Sequence, residues 1–350
     1  MSVDRILEGL ERRDPAALAR AITLVENQRD GFERVLAYAH RRLRPDAGRR
    51  IGITGPPGAG KSTLVERLIQ HFRARGLTVG VIAVDPTSAF SGGALLGDRI
   101  RMEAASLDPG VFIRSMATRG EQGGLATTTA EVADLLDAFG FDRILVETVG
   151  VGQTELEIAR TADTTVLVLV PESGDGIQTL KAGVMEVADI YVINKADRAG
   201  AERLRQEVEV MLGLRRGNAF RHVAPHHRPE RRAASPPAGG GEEEGDGETW
   251  EPPVLTTVAV QGTGVAELAD ALDRHHASLA ASGGLAARRR QRLVARTRAV
   301  LERGLRRWLA EAAPVEDLLA RRLDDVAAGR RSPYDVAAEI LGQLKTGASR

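Results

Sequence analysis

The chain has 350 residues, of which 43% are hydrophobic, which is enough for one large domain with accessory pieces or for two domains. Its 48 Lys+Arg balance 48 Asp+Glu, which argues against the basic surface of a nucleic-acid-binding protein. The absence of cysteine excludes disulfides, thiolate metal sites and cysteine nucleophiles, and without a signal-peptide core or a long apolar run we expect a cytoplasmic protein that does not bind membranes.

The first elements are helical. Residues 3–44 carry helical periodicity, and Asp14-Pro15 has the pattern of an N-cap followed by proline in the first turn. From residue 50 short apolar strands alternate with helices, which is typical of an α/β fold with a mainly parallel central sheet flanked by helices. The predicted strands are 50–54, 78–84, 111–115, 143–147, 165–170, 189–193 and 254–260.

Residues 215–253 interrupt this alternation. They are rich in proline, glycine and charge, which predicts a disordered surface insertion. Three histidines inside it leave two readings open, a metal-binding tail and a solvated linker: His222, His226 and His227. The chain is then predicted to have a helical N-terminal extension (1–46), an α/β domain (47–282) and a C-terminal helical arm (283–350).

The loop after the first strand fits the complete pattern G-x-x-x-x-G-K-S/T. It lies between a predicted strand and a predicted helix, where glycines allow backbone N–H groups to converge on phosphate oxygens at a helix start. Lys61 would reach the β- and γ-phosphates and Ser62 would bind Mg²⁺, whereas the alternative is a glycine-rich turn with a chance lysine. The candidate nucleotide-binding residues here are Gly55, Pro56, Pro57, Gly58, Ala59, Gly60, Lys61, Ser62 and Thr63.

The stretch "NKAD" follows a later strand and favours GTP over ATP. Asp197 can accept hydrogen bonds from the guanine N1–H and 2-amino groups, Asn194 would hold the loop near the base, and the stem of Lys195 would pack over the ring. A polar turn before a helix is the alternative. In the last loop, "TVAVQGTGV", Ala259 could offer its backbone N–H to guanine O6.

Acidic residues end two of the strands. Asp85 and Glu147 are therefore candidates for holding Mg²⁺ or its waters. Gly150 can offer its N–H to a γ-phosphate. Asp98, in a glycine-rich stretch, is a further metal candidate or an ordinary helix N-cap.

Taken together, "GPPGAGKST", "VDPTS", "GGALLGDRIRM", "VETVGVGQTE", "PESGDGIQTLKAGVMEVADI" and "NKAD" resemble the MeaB/ArgK family, GTPases of the SIMIBI class. The resemblance covers nearly the whole chain. It implies a P-loop NTPase fold, GTP/GDP and Mg²⁺ as ligands, a C-terminal dimerisation arm and hence a homodimer. It also implies a chaperone of an adenosylcobalamin-dependent methylmalonyl-CoA mutase or a related acyl-CoA mutase, which assists cofactor loading and protects the mutase.

The same resemblance implies roles for individual residues. Lys61, Glu147, Asp98 and Asp85 would form the catalytic set, and the metal ligands would be Ser62, Asp85, Asp98 and Glu147. A mobile segment called switch III would couple nucleotide state to the mutase through Asp175, Gln178 and Lys181. From the residues alone, Lys181 could equally face solvent.

Two other functions remain open. A metallochaperone GTPase of the same class would need cysteine or histidine ligands near the switches, and the chain has no cysteine. A kinase of a transport-system protein would need an acceptor site and a base, which no motif identifies. With no evident arginine finger, we expect slow intrinsic GTP hydrolysis that quickens when a partner orders the switches.

Overall fold

The computed structural model describes residues 2–43, 48–86, 105, 107–118, 124–148, 154–171, 182–215, 250–311, 313–328 and 330–347. The chain divides into two compact units, Met1–Arg289 and Arg290–Arg350. Most of the predicted insertion, with His222, His226 and His227, lies outside the described residues. In the part of the chain that is described, no helix combines the length and apolar character needed to cross a membrane.

The first unit is built on a seven-stranded sheet in the order β3-β2-β4-β1-β5-β6-β7, and every neighbouring pair is parallel. The predicted α/β class and all seven predicted strands are confirmed. The last strand ends earlier than predicted, because Val258 pairs with Thr263 and a 3₁₀ turn, Ala259–Gln261, follows. The strands are β1 Arg49–Thr54, β2 Val79–Pro86, β3 Val111–Thr118, β4 Arg143–Thr148, β5 Thr164–Leu169, β6 Ile190–Asn194 and β7 Val254–Thr257.

Helices cover both faces of this sheet, because the central strands are apolar on both faces. The described helices of the first unit are α1 Val3–Glu11, α2 Pro15–Glu26, α3 Phe32–His40, α4 Lys61–Ala74, α5 Gly124–Phe139, α6 Thr154–Thr161, α7 Ala182–Val187, α8 Ala201–Arg215 and α9 Val265–Ala281, and α10 Gly284–Glu311 begins in it. On one face α4 packs on β1 and α9 on β5 and β7, and Leu68, Leu272 and Ile53 belong to the core that they share. On the other, α5 packs on β2 and β4, and Leu136 and Ile144 belong to that core.

The N-terminal extension packs on the second of these faces. Asp14 caps α2 by accepting a hydrogen bond from the Ala16 N–H at 2.9 Å, as the sequence predicts. Leu18 and Ile22 of α2 are fully buried in the core that includes α5, and Glu26 pairs with Arg114 of β3. The extension is therefore part of the first compact unit.

Charged side chains gather where β5 and β6 begin, at the edge opposite the loops that carry the sequence motifs. Arg289 pairs with Asp163 at 2.9 Å, just before β5. Arg288 pairs with Asp189 at 2.8 Å, just before β6. Trp250, at the described end of the predicted insertion, donates its indole N–H to the Asp189 carbonyl at 2.9 Å. The first turns of α10 are thus tied to the starts of two central strands.

The second unit, Arg290–Arg350, contains the rest of α10 together with α11, Ala313–Ala327, and α12, Pro333–Gly347. Its small core includes Val336 and Ile340. Glu339 of α12 accepts from Arg322 of α11 at 2.9 Å and from Arg331. Many large apolar side chains of this unit are exposed, including Val294, Leu301, Leu305, Trp308, Leu319, Leu323, Tyr334 and Leu341.

Candidate nucleotide-binding site

The motif residues lie along one edge of the sheet. In a parallel sheet the carboxyl ends of neighbouring strands meet at the same edge, where α/β proteins bind ligands. β1 lies between β4 and β5, and it runs into the glycine-rich loop. Glu147 near the end of β4 is paired in register with Ile53 of β1, and Asn194 ends β6. The topology thus brings together residues that are far apart in the sequence, such as Asn194 and Ala59, which are 135 positions apart.

Two glycines of the loop occupy positions that no other residue could fill without displacing its neighbours. Gly55 has φ +143°, and a Cβ there would lie 2.1 Å from the Val168 carbonyl oxygen of β5. Gly60 has φ +83°, and a Cβ there would lie 2.5 Å from the Asn194 side-chain nitrogen. The chain therefore passes close to β5 and to the end of β6 before α4 begins at Lys61, with its N-terminal N–H groups and positive dipole end facing the loop.

Lys61 is buried inside this loop. Its ammonium donates to the carbonyl oxygens of Gly55 at 2.8 Å and Pro56 at 3.0 Å. The charge is therefore held at the concave side of the loop, where a phosphate oxygen could replace a carbonyl as its acceptor. Ala59 is buried beside it, whereas Pro57 and Gly58 are exposed and Thr63 is half-buried.

Ser62 and Glu147 meet at the start of α4. The Ser62 hydroxyl donates to Glu147 Oε1 at 2.7 Å, and the carboxyl group is only 1% exposed. Two oxygen ligands at hydrogen-bonding distance, beside a phosphate loop, fit the chemistry of Mg²⁺, which takes one or two protein oxygens and completes its shell with water and phosphate. Among the described residues no three His, Asp or Glu side chains gather into a larger metal cluster.

Asn194 connects three segments of the site. Its Nδ2 donates to the Ala59 carbonyl at 2.8 Å, and its Oδ1 accepts from the Thr257 hydroxyl at 3.0 Å and the Ala259 N–H at 3.1 Å. Asn194 is buried, so these bonds lie away from solvent. The side chain therefore fixes the spacing between the phosphate loop and the loop after β7. A nucleotide bound to both loops would span this spacing.

The other base-side candidates lie in a tight turn after Asn194. Lys195 has φ +56° and is half-buried, and its carbonyl accepts from the Arg198 N–H at 3.0 Å. The Ala196 N–H donates to the Thr257 carbonyl at 3.0 Å, and Asp197 is exposed at the rim. Because the Ala259 N–H donates to Asn194, contact with guanine O6 requires sharing or exchange of that bond. Its predicted role stays a prediction.

Several predicted residues lie outside the described part of the chain. These are Asp98, Gly150, Asp175, Gln178 and Lys181. The backbone of Asp85 is described, near the end of β2 and in register with Ala117 of β3, but its side chain is not. The roles of these six residues stay predictions.

Two residues that contact the site carry no motif signal. Thr257 at the end of β7 donates to Asn194, and Arg67 of α4 donates to the carbonyls of Ala259 and Val260. For Thr257, the only sequence signal was its position next to the predicted base-side loop. Arg67 lies inside an ordinary amphipathic helix, so no local pattern distinguishes it.

The sequence of the chain matches a known family over most of its length. Residues 18–313 match the family described as "Methylmalonyl Co-A mutase-associated GTPase MeaB". The chain is 44% identical over 344 residues to a Pyrococcus abyssi protein that is assigned as a GTPase, covering 98% of this chain and 97% of that protein. It is 37% identical over 302 residues to the mouse mitochondrial protein named methylmalonic aciduria type A homolog, covering 82% of this chain and 66% of the mouse protein.

A solved structure agrees with these relationships. The crystal structure described as a LAO/AO transport system kinase superposes with a TM-score of 0.64 at 28% sequence identity, covering 98% of this chain and 97% of that one. The resemblance inferred from the sequence motifs is thereby confirmed. The chain belongs to the MeaB family of P-loop GTPases.

Proposed function

We propose that this protein is a GTP-binding and GTP-hydrolysing chaperone of an adenosylcobalamin-dependent acyl-CoA mutase of the methylmalonyl-CoA mutase type. It would couple GTP hydrolysis to cofactor loading and to protection of the mutase. The observation that carries the proposal is the family match over residues 18–313, because the description of that family names the mutase. The mouse relative, whose name refers to methylmalonic aciduria, supports the same partner.

The geometry of the phosphate side supports hydrolysis by positioning and charge neutralisation. Lys61 would exchange the carbonyls of Gly55 and Pro56 for phosphate oxygens, which places its positive charge on the transferring group. Ser62 and Glu147 would hold Mg²⁺, which supplies a second positive charge beside the phosphates. The remaining carboxylate oxygen of Glu147 can accept a hydrogen bond from water and orient it.

The base side supports guanine. Asn194 fixes the loop in which Asp197 is exposed at the rim, so the carboxylate can reach the guanine N1–H and 2-amino groups. Adenine presents no such pair of donors. Asp175, Gln178 and Lys181 are the residues that we propose to report nucleotide state to the mutase, with Asp85 and Asp98 completing the metal site.

We also propose a homodimer formed through the C-terminal arm. Along α10 the exposed residues Val294, Leu301, Leu305 and Trp308 follow one another at intervals of seven, four and three. Intervals of three, four and seven place side chains on one side of a helix, as in helix pairs that bury an apolar stripe. A second copy of the same arm offers a matching surface.

The test combines binding and hydrolysis. Purified protein is mixed with methylmalonyl-CoA mutase, and gel filtration and phosphate release are measured with GTP. We expect co-elution and a hydrolysis rate at least several-fold above that of the protein alone. An unrelated acyl-CoA enzyme serves as the control, and Lys61→Ala should lose the hydrolysis. If the mutase neither co-elutes nor changes the rate, the chaperone proposal is wrong.

The same assay separates a GTPase from a protein kinase. With GTP labelled at the γ-phosphate, a GTPase releases all label as inorganic phosphate, whereas a kinase leaves part of it on a protein. We expect the label only in inorganic phosphate. Stable label on either protein would favour the kinase alternative.

A further inference from the structure

One side chain of the phosphate-side helix reaches the base side of the site. Arg67 lies five residues after Ser62 on α4, and its guanidinium is half-buried. Its Nε donates to the Ala259 carbonyl at 3.1 Å, and a terminal nitrogen donates to the Val260 carbonyl at 2.7 Å. The other terminal nitrogen donates to Gln70 on the same helix at 3.0 Å. All three guanidinium nitrogens therefore donate hydrogen bonds, and two of them donate to adjacent carbonyls of one turn.

These contacts complete the fixation of the 3₁₀ turn Ala259–Gln261. Asn194 accepts from the Ala259 N–H, which fixes the peptide between Val258 and Ala259. Arg67 bonds the next two carbonyls, which fixes the two peptides that follow. A peptide unit is planar, so fixing its carbonyl also fixes the direction of its N–H. Three consecutive peptide units of the turn are thus bonded to side chains of β6 and α4. Backbone bonds share in holding them, because the Gln261 N–H donates to the Val258 carbonyl at 2.9 Å and the Gly262 N–H to the Ala259 carbonyl at 3.1 Å.

We propose that Arg67 is a positioning residue for guanine recognition: by donating to the carbonyls of Ala259 and Val260 it holds the turn whose Ala259 N–H would read guanine O6. The inference rests on the proposed guanine site. Arginine suits the task because its planar fork can donate to two neighbouring acceptors at once, and bonds from a charged donor are stronger than neutral ones. A flexible turn without this clamp would have to be ordered when the base binds, which weakens the O6 contact.

The test compares diphosphates that differ in one base atom. GDP, 6-thio-GDP, which replaces O6 by the weaker acceptor sulfur, and IDP, which lacks the 2-amino group, are titrated into wild type and Arg67→Met by calorimetry. Methionine keeps the apolar stem and removes the donors. The wild type should prefer GDP to 6-thio-GDP, and in Arg67→Met this preference should shrink by roughly three- to tenfold, the value of one hydrogen bond. The preference for GDP over IDP, which reports Asp197, should stay within about twofold of wild type.

Two further variants make the result specific. Arg67→Lys keeps the charge and can donate to one carbonyl, so we expect it to restore part of the O6 preference. Arg203→Met removes an exposed arginine of α8 that pairs only with a neighbour on its own helix in the described structure, and it should leave all three affinities unchanged.

The outcomes separate the two proposals. If Arg67→Met keeps the wild-type preference for GDP over 6-thio-GDP, or weakens all three nucleotides equally, Arg67 is an ordinary structural contact and the inference is wrong. If the wild type itself binds IDP and 6-thio-GDP as tightly as GDP, the guanine site is wrong, and the inference falls with it.

Discussion

Replacing Asn194 by alanine removes the link between the phosphate loop and the base-side loop. The change breaks three hydrogen bonds at once, to the Ala59 carbonyl, the Thr257 hydroxyl and the Ala259 N–H. Both Asn194 and Thr257 are buried, so the partners left behind lose their bonds without immediate access to water. We expect a protein that folds but binds guanine nucleotides weakly.

The magnitude follows from these three bonds. A typical bond contributes a net 0.5–1.5 kcal/mol, so three contribute about 3 kcal/mol. Part of this loss lowers the free energy of unfolding of the free protein, and the rest appears as a cost of ordering two loops when the nucleotide binds. If the loss divides equally, GDP affinity falls by about 1.5 kcal/mol, or roughly tenfold, and the free energy of unfolding falls by a similar amount.

Thr257→Val provides the matched control. It removes one of the three bonds with little change in shape, so its total effect should be about 1 kcal/mol. Calorimetric titration with GDP measures affinity, and urea denaturation measures the free energy of unfolding. Asn194→Ala with GDP affinity within twofold of wild type would refute the idea that this bridge sets the spacing of the site. Equal effects of the two variants would also refute it.

Two other substitutions test the base and the sheet. Asp197→Asn should weaken GDP binding about tenfold or more, because bonds to a charged acceptor are strong, and should raise affinity for xanthosine diphosphate; competition titration measures both, and unchanged preference for GDP would place the base elsewhere. Asp189 has a lowered pKa: burial raises it, but hydrogen bonds from His275 and Arg288 outweigh burial. The ionised Asp189 therefore stabilises the fold at pH values above its pKa in the unfolded state, about 3.9. This stabilisation is lost as the pH falls through the lower pKa of the folded state. At pH 7, Asp189→Asn should lower the free energy of unfolding by about 2 kcal/mol, less than for a fully buried ion pair because Arg288 is partly exposed. Between about pH 4 and pH 2, the melting temperature of the variant should fall less than that of wild type. Parallel melting curves across this range would contradict the assignment.

The strands were predictable because continuous runs of Val, Ile and Leu are required wherever a parallel strand is covered on both faces. The end of β7 was not, since it depends on a bridge between Val258 and Thr263 and on the turn that they enclose. Trp250 shows a related limit. Composition places it in a disordered insertion, whereas its indole N–H is bonded to Asp189 and its ring lies 4.8 Å from that of His275.

Within the site, a residue could be predicted when one short segment of the sequence imposes all of its requirements. Gly55, Gly60 and Lys61 are recognisable because one short loop imposes all their requirements. The pairing of Ser62 with Glu147 could be expected from the position of Glu147 at a strand end. The contacts of Arg67 could not be predicted, because its partners lie 192 and 193 positions further along the chain. The sequence pattern of α4 would be the same if another long polar side chain stood at this position.

Strand β6 has a side chain that bridges separate segments at each end. Asn194, its last residue, bridges the nucleotide loops, and Asp189, just before its first, holds Arg288 of α10. The backbone rise separates the two by about 16 Å. Every residue of the strand between them is buried, so the two ends are joined by closely packed backbone rather than by solvent-exposed chain.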